Sequence, residues 1–333
     1  MQKRKLGLGV RSLLGGFAAV LLLLTIVLFA TQDNGPNFSP WSAAVSLGPV
    51  VNSTSYDACP TISKNGLSLY FRSNRPGGQG SFDIWVSQRD SLEDPWEAPV
   101  NLGATINGPY GEFCSTFSVD GHWMIFVSNR PGGSGSQDLW ISHRKDNRDD
   151  FAWETPQNLG PIVNSSMQEN GPCLVDDEAT GQTLLYFSSG RPGGLGGLDI
   201  YVSPAISEDK NVFGPPTLVA ELSTVYTDYQ PVVRKDGLEV IFASDRPGST
   251  PFPPPYEAYL SVDLWVSTRL STLDPWLPPV NLGPLVNSAE YDFHPTLSWD
   301  GTTLIFPSER DYPAVGWGNL YICTRTKLKG PNK

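Results

Sequence analysis

A carboxylate and an arginine recur together five times along this chain. The carboxylates are Asp57, Glu112, Glu169, Asp228 and Asp292; the arginines are Arg75, Arg130, Arg191, Arg246 and Arg310. In four of the five pairs the partners stand nine positions either side of a glycine (Gly66, Gly121, Gly237, Gly301). Across a hairpin that spacing sets them side by side at one end. A second acid follows in four units, Asp83, Asp138, Asp199 and Asp263, with Asn319 in the fifth. The guanidinium fork suits two carboxylates. The expected chemistry is therefore a structural acid–Arg–acid staple, once per unit. The alternative is a ring of carboxylates that holds a cation or a sugar. Fivefold repetition favours the staple, because an active site is normally singular.

Two residues beyond those carboxylates lies a second recurring slot, filled by Cys59, Cys114, Gln230 and His294, with Gly171 in the third unit. Three readings stay open for it: unlinked packing, a Cys59–Cys114 disulfide, or a metal held one ligand per unit. Packing is preferred, and no metal and no cofactor are expected. The aromatics divide in two. Trp41, Trp96, Trp153, Phe213 and Trp276 share one slot, and Trp85, Trp140, Tyr201, Trp265 and Tyr321 another; both read as core. Phe252, Tyr256, Tyr259, Tyr312 and Trp317 break the pattern and fall in two neighbouring loops. They are the candidate lip for stacking a sugar ring or a peptide. No HExxH, GxSxG or P-loop motif is present, and no residue is assigned a catalytic role. Glu290 with Asp292 is the one carboxylate pair offered for glycoside chemistry, and the two share a strand.

The elements that must position these residues follow from the repeat. LYFRSNRPGGQGSFDIWVSQR (69–89), MIFVSNRPGGSGSQDLWISHR (124–144) and LLYFSSGRPGGLGGLDIYVSP (184–204) align, and two altered copies follow at 240–269 and 304–325. Each is preceded by an Asn-Gly, Asp-Gly or Thr-Gly turn, with turn glycines 55, 60, 56 and 64 residues apart. Such turns between apolar runs signal hairpins. Arg-Pro-Gly-Gly suits a type II turn. An aromatic and a PxNLGxxVN segment close the unit. Four strands, here termed A to D, at this period mean a β-propeller. The expected fold is all-β: five four-stranded antiparallel blades over 41–326, after a linker at 31–40 and before a tail at 327–333. The lone D-type segment at 41–52 is expected to complete the last blade and close the ring.

The run SNRPGGxGxxDIWVSxR…W…PVNLG resembles the WD40-like repeat of TolB-like propellers. That resemblance implies an exported, non-enzymatic scaffold that binds an envelope protein, peptide or glycan at the mouth formed by the B–C loops. A glycoside-hydrolase-like five-bladed enzyme is the alternative. Residues 2–11 carry four positive charges and 13–30 are an unbroken apolar run. The run reads as a membrane anchor or a cleaved signal, which places the body outside the cytoplasm. Lys and Arg number 23 against 34 Asp and Glu, and all four basic residues before Gln32 belong to the leader. An acidic body excludes a nucleic-acid partner.

Overall fold

A computed structural model describes residues 37–177, 179–209, 211–256, 258–311 and 318–328. The leader, including 13–30, lies outside the described residues, as do Tyr312 and Trp317. Among the described residues no helix is long and apolar enough to cross a membrane.

A two-residue strand, β1 (Val45–Ser46), comes first. Blade 1 is β2 (Asp57–Ile62), β3 (Ser68–Ser73), β4 (Asp83–Gln88) and β5 (Val100–Asn101). Blade 2 is β6 (Glu112–Phe117), β7 (Trp123–Ser128), β8 (Asp138–His143) and β9 (Gln157–Asn158). Blade 3 is β10 (Glu169–Asp177), β11 (Gln182–Ser189), β12 (Asp199–Pro204) and β13 (Thr217–Leu218). Blade 4 is β14 (Asp228–Val233), β15 (Glu239–Ser244), β16 (Asp263–Thr268) and β17 (Val280–Asn281). Blade 5 is β18 (Thr296–Leu297), β19 (Thr303–Ser308), β20 (Asn319–Thr324) and β1, which pairs Val45 with Ile322 and Ser46 with Tyr321. The five sheets are antiparallel, and β1 covers the edge that β20 would otherwise expose.

The core sits between blades. Each B strand carries one phenylalanine in the same slot (Phe71, Phe126, Phe187, Phe242, Phe306), at most 1% exposed. Burying such a ring contributes about 1.5–3 kcal/mol. Over each ring, at 4.8–5.5 Å, lies the arginine that ends the same strand. The B–C turn needs its glycines. Gly77 has φ 95°, and a Cβ on Gly78 would stand 2.6 Å from Asp83 Oδ2.

The final Asn of PxNLGxxVN bonds like a strand. Asn107 Nδ2 donates to Ile84 O and Asn107 Oδ1 accepts from Ile84 N, each at 2.9 Å. Asn164 and Asn287 repeat this on Leu139 and Leu264, and Asn52 does so on Leu320 across the ring closure. The motif therefore continues the sheet beyond its two-residue D strand.

The staples hold the upper end of each blade. Arg246 bonds Asp228 Oδ1 at 2.5 Å and Leu222 O at 2.6 Å, and the Asp228 side chain is fully buried. Removing one partner of a buried pair leaves an uncompensated charge, at about 3–5 kcal/mol. Asp228→Ala is therefore expected to lower unfolding stability by that amount in urea denaturation. Asp146→Ala is the control, since it cuts an ion pair with the exposed Arg148, and its midpoint should stay in place. An unmoved midpoint for Asp228→Ala would refute the structural role.

Candidate functional site

The recurring charges are consumed by the fold. All five A-strand carboxylates are 0% exposed, and each meets its arginine at 2.5–3.2 Å: Asp57 with Arg75, Glu112 with Arg130, Glu169 with Arg191, Asp228 with Arg246, Asp292 with Arg310. The expected acid–Arg–acid form is not what is built. The second acid does not reach the arginine. Asp83 instead accepts from Gln79 N and Gly80 N of its own B–C loop (2.5 and 3.0 Å) and from Asn101 Nδ2 on strand D (2.7 Å). Asp138, Asp199 and Asp263 cap their loops in the same way. The reason is loop geometry: the Arg-Pro-Gly-Gly turn aims its backbone N–H groups at the nearer carboxylate.

The slot of Cys59, Cys114, Gln230 and His294 lines the central channel around a cavity of about 50 Å³. Every A strand except that of blade 2 has Pro after this residue. Proline has no N–H for the ladder, which suits the register shift at this slot, a shift that blade 2 makes at Cys114 without a proline. Cys59, Gly171, Gln230 and His294 accordingly take positive φ (42–55°), which turns them inward. Cys59 and Cys114 form a disulfide with Cα atoms 4.7 Å apart. Gln230 Oε1 accepts from His294 N (3.0 Å), and its amide meets His294 Nε2. Burial and the nearby Arg72 push His294 well below the usual histidine range, so it is neutral. Cys59, Cys114 and His294 put ligand atoms within 4.8 Å of one another. With the two sulfurs bonded to each other, neither is a thiolate able to take a metal.

The side chains that break the repeat meet at the mouth above this channel. Phe252, Tyr256 and Tyr259 of the long blade 4 loop come together with Glu290 and Tyr291 of the next blade around an open cavity of about 560 Å³. Phe252 stands edge-on to Tyr291, with centroids 5.1 Å apart. Tyr256 and Tyr259 are 63% and 67% exposed, so their ring faces are free for a ligand.

Glu309 was not legible as a site residue. It occupies the slot of Asn74, Asn129, Gly190 and Asp245. Asn74, Asn129 and Asp245 accept a backbone N–H there, from Tyr56, Gly111 and Thr227 (2.7–2.8 Å). Glu309 is anchored through its own N–H to Tyr291 O at 3.0 Å. Burial, then the charges of Glu290 and Asp292, push its carboxyl up to about 7. Burial and Asp292 also raise Glu290. Among the described residues no cation pairs with either. Arg72, Tyr56 and Tyr229 complete the centre; Arg72 departs from the repeat in charge, whereas Tyr56 shares its slot with Tyr291, and Tyr229 with Phe113 and Phe293.

The raised Glu309 predicts a pH-dependent stability. Its folded pKa lies above its unfolded value of about 4.5. The unfolded chain therefore holds fewer protons between those values, and stability falls as pH rises from about 4.5 to 7. Glu309→Gln removes that loss. Its gain over the parent chain should be near zero at pH 4.5 and grow to at most about 3 kcal/mol at pH 8. Chemical denaturation at the two pH values measures it, and an equal gain at both would contradict the shift.

No family model matches this sequence, and no curated protein does. Solved structures do match in fold. An α-L-arabinofuranosidase from Lactobacillus brevis superimposes with a TM-score of 0.55 at 12% identity, over 85% of this chain and 93% of that one. One from Podospora anserina, in complex with cellotriose, gives 0.51 at 13%, over 86% and 97%. A xylan β-1,4-xylosidase from Bacillus halodurans gives 0.54 at 16%, over 85% of this chain and 54% of that one. These are five-bladed glycoside hydrolase propellers, and they overturn the expectation of a TolB-like, WD40-like, non-enzymatic binder; they lend no support to an envelope protein or peptide partner. The motif misled for a physical reason: its residues make turns, caps and staples, which specify a blade and not a ligand.

Proposed function

We propose that this protein is a carbohydrate-active enzyme that hydrolyses a glycosidic bond at the blade 4–5 side of the mouth. One observation carries the reading. Among the described residues two carboxylates have no cationic partner: Glu290 lines the aromatic-walled cavity, and Glu309, within reach of the Glu290 charge, keeps its proton near neutral pH. Likeness of fold to arabinofuranosidases and xylosidases supports it. The expected exported location, with the anchor or signal at 13–30, suits an enzyme acting on polysaccharide outside the cytoplasm.

The roles follow from the two environments. Glycoside hydrolysis needs one protonated and one ionised carboxyl flanking the bond. Glu309 is 9% exposed and is raised by the charge of Glu290, so it holds the proton while Glu290 is ionised. Glu309 is thus the proton donor to the leaving oxygen. Glu290, the more accessible, acts on the opposite face as base or nucleophile. Asp292 is locked to Arg310 and takes no part. That replaces the pair Glu290 with Asp292 read from sequence. Phe252, Tyr256, Tyr259 and Tyr291 supply faces on which a sugar ring stacks.

Neutral xylan- and arabinan-derived oligosaccharides test the reading, with product release followed by chromatography. Glu309→Gln and Glu290→Gln should each lower kcat by about 10²–10⁴-fold. For the parent chain the rate should fall tenfold per pH unit above about 7, as Glu309 loses its proton. Turnover that survives Glu309→Gln would remove the assigned donor. No turnover of any glycan would sink the hydrolase reading.

A further inference from the structure

Among the described residues Arg72 is the one mouth arginine that the staples do not use. It lies on β3 in the slot filled by Val127, Ser188, Ala243 and Pro307 in the other blades, as the shared register shows. A guanidinium has replaced a small or apolar side chain at a seam between blades. Its charge rests against three aromatic faces, Tyr56, Phe82 and Phe113, at 5.0, 5.2 and 5.4 Å. Its Nε is buried with no hydrogen-bond partner. Tyr56, which also hydrogen-bonds its side chain, and Tyr229 are the groups that favour its charge, and no described carboxylate is among them. Every staple arginine, by contrast, has a carboxylate and a backbone carbonyl. Arg72 is still partly exposed, so a ligand can reach it.

A desolvated cation without an anion is costly unless a ligand supplies the anion. The mouth is also polarised. Glu290 and Glu309 stand at blade 5, Arg72 at blade 1, and Tyr56 lies between them, within the electrostatic reach of both Arg72 and Glu309. A sugar that spans this distance places its glycosidic oxygen at the acid end and another substituent at Arg72. We propose that this substituent is a carboxylate, and that Arg72 makes the enzyme selective for glycans bearing a uronic acid. The inference rests on the hydrolase reading and specifies its substrate. One guanidinium balances one charge and matches a planar carboxylate in two parallel bonds. A doubly charged phosphate beside Glu290 and Asp245 would be left uncompensated.

Calorimetry on the Glu309→Gln chain, which retains its ligand uncleaved, tests this. The probes are xylan and pectic oligosaccharides with one uronic acid, each paired with its carboxyl-reduced neutral form. The acid form should bind on the order of 10- to 100-fold tighter, with a margin that shrinks as salt rises. Arg72→Met should erase the margin and leave the neutral form within about twofold, while Arg72→Lys keeps part of it. Equal affinity for the two forms overturns the proposal without any variant. So does an Arg72→Met chain that loses both alike, since that is a packing role. If the neutral form binds and the parent chain cleaves it with no preference, the hydrolase stands and the uronate falls. If neither form binds, the uronate proposal falls, and the hydrolase reading stands or falls on turnover by the parent chain.

Discussion

Five buried ion pairs set the terms for everything else in this molecule. A carboxylate with no solvent contact is several kcal/mol out of balance unless its partners are complete. Here they are. Arg75 donates through Nε to Ser73, and through Nη2 to Asp57 Oδ1 and Val51 O. The other oxygen of Asp57 accepts from Ser53 N and Oγ at 2.6 and 2.8 Å. One side chain thus ties the end of strand B, the start of strand A and the connector that arrives from the neighbouring blade. Ile106, Val163, Leu222 and Val286 fill the place of Val51 in the other four. The connectors run between blades, so the staples close the ring as well as the hairpins.

Stapling also decides where chemistry can occur. A carboxylate held by arginine and hydroxyl and fully buried is out of a sugar's reach. Function on a scaffold of fivefold pseudo-repetition must therefore come from positions where one blade departs from the others. Glu309 departs by length from Asn and Asp, Arg72 departs by charge from Val, Ala, Ser and Pro, and the blade 4 loop departs by insertion. All three lie at the end of the barrel where the staples are, because that end alone bears the B–C loops and the A-strand starts. Rigid staples beneath variable loops are what a precise site requires.

Most of the fold was legible because its signals are local. Asp-Gly and Asn-Gly specify hairpins, Arg-Pro-Gly-Gly specifies the next turn, and the orphan segment at 41–52 specifies closure. Pairing of Asp57 with Arg75 followed from counting residues either side of Gly66. What stayed hidden depends on direction. Nothing local says that Asp83 turns to its own loop and away from Arg75, or that the Asn107 amide serves as a stretch of strand. Glu309 and Arg72 were hidden for a different reason. Each is a single substitution in or directly after a regular B strand, so reading by similarity passes over it. The lip of Phe252, Tyr256 and Tyr259 was visible because an insertion interrupts the alignment. A single substitution inside a regular strand does not.

The channel explains why such a site is a bowl and not a tunnel. Bulged A strands turn their slot residues inward, and the space left on the axis is about 50 Å³, room for a water or two and no sugar. Two cross-links tighten this floor. The disulfide joins blades 1 and 2, closing a loop of 55 residues, worth about 4 kcal/mol on chain entropy. Gln230 and His294 join blades 4 and 5 by hydrogen bonds. Blade 1 carries the cation of the mouth, and blades 4 and 5 carry its acids and aromatics. Each pole therefore stands on its own clamp. The substrate proposed above, touching both poles, would be held across a cross-linked floor, which would fix the distance between its charged group and the bond to be cut.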